Sequence, residues 1–182
     1  MVIIFFFFKT HLNQNHRANK NFNLQTVPGL VASLSKTNLG NNGYTLVLEQ
    51  ALDDLTSFNH ITTLASYCSA STILCFAGGV SYSDTLLTIA CGNCLQITSQ
   101  TTLNSPVFYG GAYWYFTNGY SIGYSPTSAI SMGSADTMDG ASDQRISYHM
   151  DGVSGGYRIG HYTYNNPEFA KYFYFKYGIY FA

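Results

Sequence analysis

Thirteen of the chain's 16 tyrosines lie between Tyr109 and Tyr180, set among glycines in alternating runs. Alternation with period two is the mark of a strand, because successive side chains point to opposite faces of a sheet. A chain patterned this way is expected to fold as a β-domain with an aromatic core or an aromatic surface.

Only 9% of the 182 residues are charged, with two Glu and five Lys. Soluble domains usually carry about 25%. Asn, Ser, Thr, Gln and Tyr must supply the surface polarity, a profile of extracellular β-domains more than of cytosolic enzymes. The net charge of −1 offers no basic face for phosphate contacts, which argues against a nucleic-acid partner. Low charge also gives weak protection against self-association.

The length suits one domain and a tail. The opening Met1 to Phe8 is apolar but lacks a positive n-region and is followed by no small-x-small cleavage site. It falls far short of the roughly 20 apolar residues of a membrane span. Residues 1–25 therefore read as a disordered tail or a degenerate signal segment. Residues 26–182 read as a single β-rich domain.

After Pro28, Asn41-Asn42-Gly43 marks a turn. Leu48, Ala51, Leu52, Leu55 and Phe58 then recur at helical spacing and predict an amphipathic helix of about three turns. Ile61, Leu64, Ala65 and Cys68 could extend that stripe, although Thr62 and Thr63 favour a strand. Strand patterns begin at Thr72. Gly92-Asn93 is a candidate two-residue hairpin between 85–91 and 94–98.

Asn118-Gly119 is the clearest hairpin signal and suits a type I′ turn. With Thr117 opposite Tyr120, one face of the ribbon would carry Tyr113, Tyr115, Ile122 and Tyr124. The other would carry Trp114 and Phe116 over Ser121 and Gly123. A further hairpin, 145–150 with 157–162, would separate Ile146, Tyr148, Met150, Tyr157, Ile159 and His161 from Arg145, Ser147, His149 and Arg158. From Tyr172 to Phe181 the residues alternate again, and Lys176 has the character of a charge that discourages edge pairing. The expected architecture is mainly β, an antiparallel β-sandwich with one helix near the N-terminal side of the domain. The alternative is α+β with residues 46–67 wholly helical.

Four cysteines, Cys68, Cys75, Cys91 and Cys94, sit close together in the sequence. Disulfides suit the low-charge profile, with three possible two-bridge pairings. Unpaired thiols, a zinc site or a redox dithiol compete with that reading. Against the redox reading, Cys91-x-x-Cys94 lies between strand-like runs and not at a helix start. Asp136, Asp139 and Asp143 are weak calcium candidates, without the Asp-x-Asp-x-Asp spacing of an EF-hand loop. No nucleophile elbow or phosphate-binding loop is present, and Ser147, His149 and Asp151 do not make a convincing triad. No cofactor is expected.

The leading functional expectation is a non-enzymatic carbohydrate- or protein-binding module. Its aromatic face would use Tyr113, Trp114, Tyr115 and Tyr124, flanked by His149 and Arg158. A self-associating structural protein is the alternative, and a hydrolase using the Asp/His region comes third.

Overall fold

The computed structural model describes residues 31–138, 144–150, 152, 154–163 and 168–177. The tail expected over residues 1–25 lies outside these, as do Asp139, Asp143, Asp151 and residues 178–182.

Fifteen elements follow one another among the described residues. In chain order the first half holds β1 (Val31–Ser35), α1 (Lys36–Asn41), β2 (Thr45–Ala51), α2 (Phe58–Ser66), β3 (Thr72–Val80), β4 (Thr85–Asn93) and α3 (Cys94–Ile97). The second half holds β5 (Val107–Tyr109), β6 (Ala112–Phe116), β7 (Ser121–Ser125), a 3-10 turn (Met132–Ser134), β8 (Ile146–His149), β9 (Arg158–Ile159), β10 (Tyr162–Thr163) and β11 (Phe169–Tyr177).

The strands make two antiparallel sheets, so the fold is mainly β and sandwich-like. One sheet has the order β1-β4-β3-β11-β2 and the other β10-β9-β8-β7-β6-β5. Their facing sides share one apolar core. Leu74, Phe76, Phe173 and Phe175 come from the first sheet, and Trp114, Phe116, Ile122, Tyr124, Ile146, Tyr148 and Ile159 from the second. Phe76 meets Trp114 edge-on at 5.5 Å, and Tyr148 meets Phe173 at 5.4 Å. Such offset geometries suit the quadrupoles of aromatic rings. The Tyr148 hydroxyl donates across the core to the carbonyl of Ala77. Close approach of the sheets depends on Gly78, where an added Cβ would stand 2.5 Å from the side chain of Ile159.

The first sheet also has a filled outer face, with Leu39, Tyr44, Cys75, Ile89, Cys91, Tyr172 and Tyr174 in a second apolar cluster. Alternation along β11 divides these two clusters. Phe173 and Phe175 enter the inter-sheet core, while Tyr172 and Tyr174 face the other way. Lys176, expected on an edge, lies on a central strand, with its ammonium 4.9 Å from the ring centroid of Tyr44.

Three local expectations are corrected. The helix expected over Leu48–Phe58 is instead edge strand β2 followed by a turn, and the nine-residue helix is α2. Thr45-Leu-Val-Leu can pair along β11, and that long-range ladder overrides a helical spacing of about three turns. Ser57 starts α2 by accepting a hydrogen bond from the Asn59 N–H at 3.1 Å, and Ile61 and Leu64 are buried. The α+β alternative, with 46–67 wholly helical, is excluded by the same strand.

Gly92-Asn93 makes no hairpin. β4 runs through to Asn93 and pairs with β3, and the Asn93 side chain then caps α3.

At Asn118-Gly119 a hairpin forms, but with a three-residue loop, so Trp114 faces Tyr124 and Phe116 faces Ile122. Only Gly119 has a positive φ, +79°, whereas a type I′ turn needs two such residues. The one-residue change of register turns β7 over relative to the expectation. Ile122 and Tyr124 therefore join Trp114 and Phe116 in the core. Ser121, Gly123 and Ser125 lie on the outer face with Tyr113 and Tyr115.

Candidate functional site

The outer face of the six-stranded sheet divides into a covered part and an open part. Its covered part begins at Tyr115, which lies over Gly123 on the neighbouring strand. The Tyr115 hydroxyl donates to the Ile146 carbonyl at 2.6 Å, and Ile130 and Met132 pack on the ring. Burial, reinforced by the nearby Asp136 carboxylate, pushes the Tyr115 phenol well above its usual pKa.

Beyond Tyr115 lies a buried ionic cluster. Asp136 meets Arg145 at 2.8 Å, and both are essentially inaccessible to solvent. Arg145 also donates to the Ala129 carbonyl and to the Thr127 hydroxyl, both at 2.9 Å. Arg158 donates to the carbonyls of Gly160 and Asp136. This cluster ties the 126–138 connection to β8 and β9. Asp136, a calcium candidate on sequence, is here the buried partner of Arg145. Among the described residues no group of three or more His, Cys, Asp or Glu could hold a metal ion.

The open part is the β5–β6 edge. β5 turns into β6 through Gly110-Gly111, whose φ values of +57° and +88° suit a two-residue turn. The turn sets Phe108 directly opposite Tyr113, with ring centroids 4.9 Å apart and planes at 53°. Phe108 is 60% exposed and Val107 58%. β5 ends its sheet, and no strand pairs with its free side among the described residues.

The six residues expected to bind ligand are thus dispersed. Tyr113 remains half-exposed at the open edge. Trp114 is buried, its indole N–H donating to the Tyr109 carbonyl at 3.0 Å. Tyr124 is buried against it at 5.3 Å, with its hydroxyl 3.0 Å from that of Thr88. Tyr115 is covered as described, and Arg158 is fully buried. His149 is half-buried and stacks on Tyr157 at 5.4 Å. β7 lies between His149 on β8 and Tyr113 on β6, and both β7 and β8 lie between Arg158 on β9 and Tyr113. Phe108, absent from the sequence-based set, is the ring that joins Tyr113. The signal that could have found it is the alternation of Val107-Phe-Tyr109 before Gly110-Gly111.

Lys171, another residue the sequence reading passed over, sits on the inter-sheet side of β11. Its ammonium donates to the Asp54 carbonyl and, at 2.9 Å, to the Thr56 hydroxyl. It lies 5.8 Å from the Tyr148 ring centroid. Burial lowers its pKa to about 8. The side chain is fully covered.

All four cysteines are paired. Cys68 bonds to Cys94, joining the end of α2 to the start of α3. Cys75 bonds to Cys91 directly across the β3–β4 ladder, with Cα atoms 4.0 Å apart. What emerges is a disulfide-bonded, two-sheet β-fold with an open aromatic edge at β5–β6. No protein family, no curated protein and no solved structure matches the chain.

Proposed function

We propose that this chain is a non-enzymatic binding module of extracellular type whose contact surface is the β5–β6 edge, and that its partner is a protein segment. The carrying observation is the cross-strand pair Phe108–Tyr113 on the two last strands of a sheet, with Phe108 exposed on the outermost strand and Tyr113 half-exposed beside it. An exposed edge offers backbone donors and acceptors to an incoming strand, and neighbouring apolar side chains supply selectivity. Pro106, just before β5, lacks an N–H and limits such a ladder to a few residues. The 53° between the rings favours a protein over a sugar, which stacks best on a single flat face. Two disulfides fit an oxidising compartment. No helix among the described residues is long and apolar enough to cross a membrane.

The second reading is self-association through the same strand. It is favoured by the absence of any charged residue in Val107-Phe-Tyr109, since charges are the usual guard on an edge. Sedimentation across a concentration range distinguishes it, because β5–β5 pairing would show as a dimer lost in Phe108→Lys.

Testing the main reading requires the folded protein, Phe108→Ser and Tyr113→Ala, each checked by circular dichroism. Each is presented to a peptide-display library and to a glycan array. Selected peptides should bind the parent and lose about tenfold or more with either variant, as for a contact at the centre of an interface. Peptide binding unaffected by both variants, or glycan binding alone, would overturn it.

A further inference from the structure

Two Asn-Gly steps occur in the chain, Asn42-Gly43 and Asn118-Gly119. Asn is among the thermolabile residues, and a following Gly leaves its backbone nitrogen unhindered. The structure treats the two steps differently. At Asn42 both reacting groups are engaged. The side-chain amide donates to the Asn38 carbonyl at 2.8 Å, and the Gly43 N–H donates to the Gly40 carbonyl at 3.0 Å. At Asn118 neither is. The loop is closed by Tyr120 N–H to Thr117 carbonyl and Thr117 N–H to Ser121 carbonyl, both 3.1 Å. Those two bonds bracket the Asn118–Gly119 peptide without using it. Among the described residues no hydrogen bond reaches the Asn118 side chain or the Gly119 N–H. Asn118 is also exposed. Gly152 packs close to Gly119, but the nearest Gly119 atoms are its Cα, C and O, not its nitrogen.

From this contrast we infer that Asn118 is a site of spontaneous deamidation in the folded protein, and that Asn42 is protected by its own cap. In the reaction the Gly119 nitrogen attacks the side-chain carbonyl carbon of Asn118. The new C–N bond forms as the bond to the side-chain nitrogen breaks, and that nitrogen leaves as ammonia carrying the proton from Gly119. Water then opens the cyclic imide at either carbonyl, giving aspartate or isoaspartate. One water is consumed and one ammonia released, with no oxidant or reductant. The product puts a negative charge at the tip of the β6–β7 hairpin. The isoaspartate form adds a main-chain carbon to a loop whose length fixes which side of β7 faces the core.

The test is incubation of the disulfide-intact protein at mildly alkaline pH and 37 °C, followed by peptide mapping that distinguishes amide from acid at each Asn. The folded protein should convert at Asn118 about tenfold or more faster than at Asn42, since reaction at Asn42 must first give up two hydrogen bonds. In denaturant the two rates should converge, and Asn118→Ser should abolish the faster conversion. Equal rates in the folded state, or Asn42 leading, would overturn the inference. So would no conversion at Asn118 over a time in which the denatured chain converts there.

Discussion

The Tyr115 ring crosses Gly123, and its hydroxyl would stand 2.7 Å from a Cβ placed there. The Ile146 carbonyl would stand only 1.9 Å from the same atom. A ring can swing aside, but a carbonyl in a paired strand cannot. Gly123→Ala should therefore destabilise by about 3 kcal/mol or more, at or above the upper end for overpacked sites. Urea unfolding with an unchanged m-value checks it. A loss under about 0.5 kcal/mol, the range of ordinary surface changes, would show that the Ile146 carbonyl does not approach Gly123 this closely.

Lys171 should give the protein an unusual alkaline stability slope. Its folded pKa, about 8, lies below the ordinary 10.5. Between those values the unfolded chain holds a proton that the folded one does not, so stability rises with pH. The full effect is about 3 kcal/mol at 1.36 kcal/mol per pKa unit. Tyr115 and Tyr148, held neutral by burial, act in the opposite sense above about pH 10, where unfolded tyrosine ionises. The rise is therefore confined to the interval from about pH 8 to about pH 10. Thermal melts of the parent should climb across that interval, and melts of Lys171→Met should not. Identical slopes in the two proteins would refute the assignment.

The Asp136–Arg145 pair is buried on both sides, so removing one partner strands a charge. Asp136→Asn is the informative change, because Asn tolerates the positive φ of +50° at this position. It should cost about 3–5 kcal/mol. Adding Arg145→Met should recover part of that loss, since the stranded guanidinium is gone. A double-mutant cycle by chemical denaturation measures the coupling.

A thiol count on the unreduced, denatured protein should find no free cysteine, and four after reduction. The loops closed by the two bridges differ little in length, with separations of 26 and 16 residues. In the chain-entropy picture each contributes about 3 kcal/mol. Replacing either pair by Ser should lower the melting temperature by comparable amounts. Four reactive thiols before reduction would disprove both bridges.

How much of this was legible depended on the length scale of each signal. Alternation in β6, β8 and β11 marked them as strands and sorted Phe173 from Tyr172 correctly. Pairing was harder. The 145–150 ribbon pairs two residues away from the expected register, Ile146 with Ile159. An even shift preserves faces, so Arg145, Ser147 and Arg158 still share one side. At Asn118-Gly119 the register moved by a single residue, and every side chain of β7 changed sides. One loop residue thus decided whether Tyr124 belonged to a surface or to the core. The β2 segment failed for a different reason. Its partner, β11, is more than 100 residues away, and no local pattern reports it. The cysteine pairing was one of three choices, fixed only when β3 and β4 came into register.

The strand order of the first sheet has a consequence for biogenesis. β11, near the end of the described chain, is the strand that joins β3 to β2. Until the ribosome has extruded it, β2 has no neighbour and one side of β3 stays bare. The β3–β4 hairpin can form during translation, but the sheet cannot close before synthesis of this region is nearly over. Such long-range closure slows folding and prolongs exposure of unpaired strands. A nascent chain that holds β2 but not yet β11 therefore keeps β2 unpaired while more than 100 further residues are made.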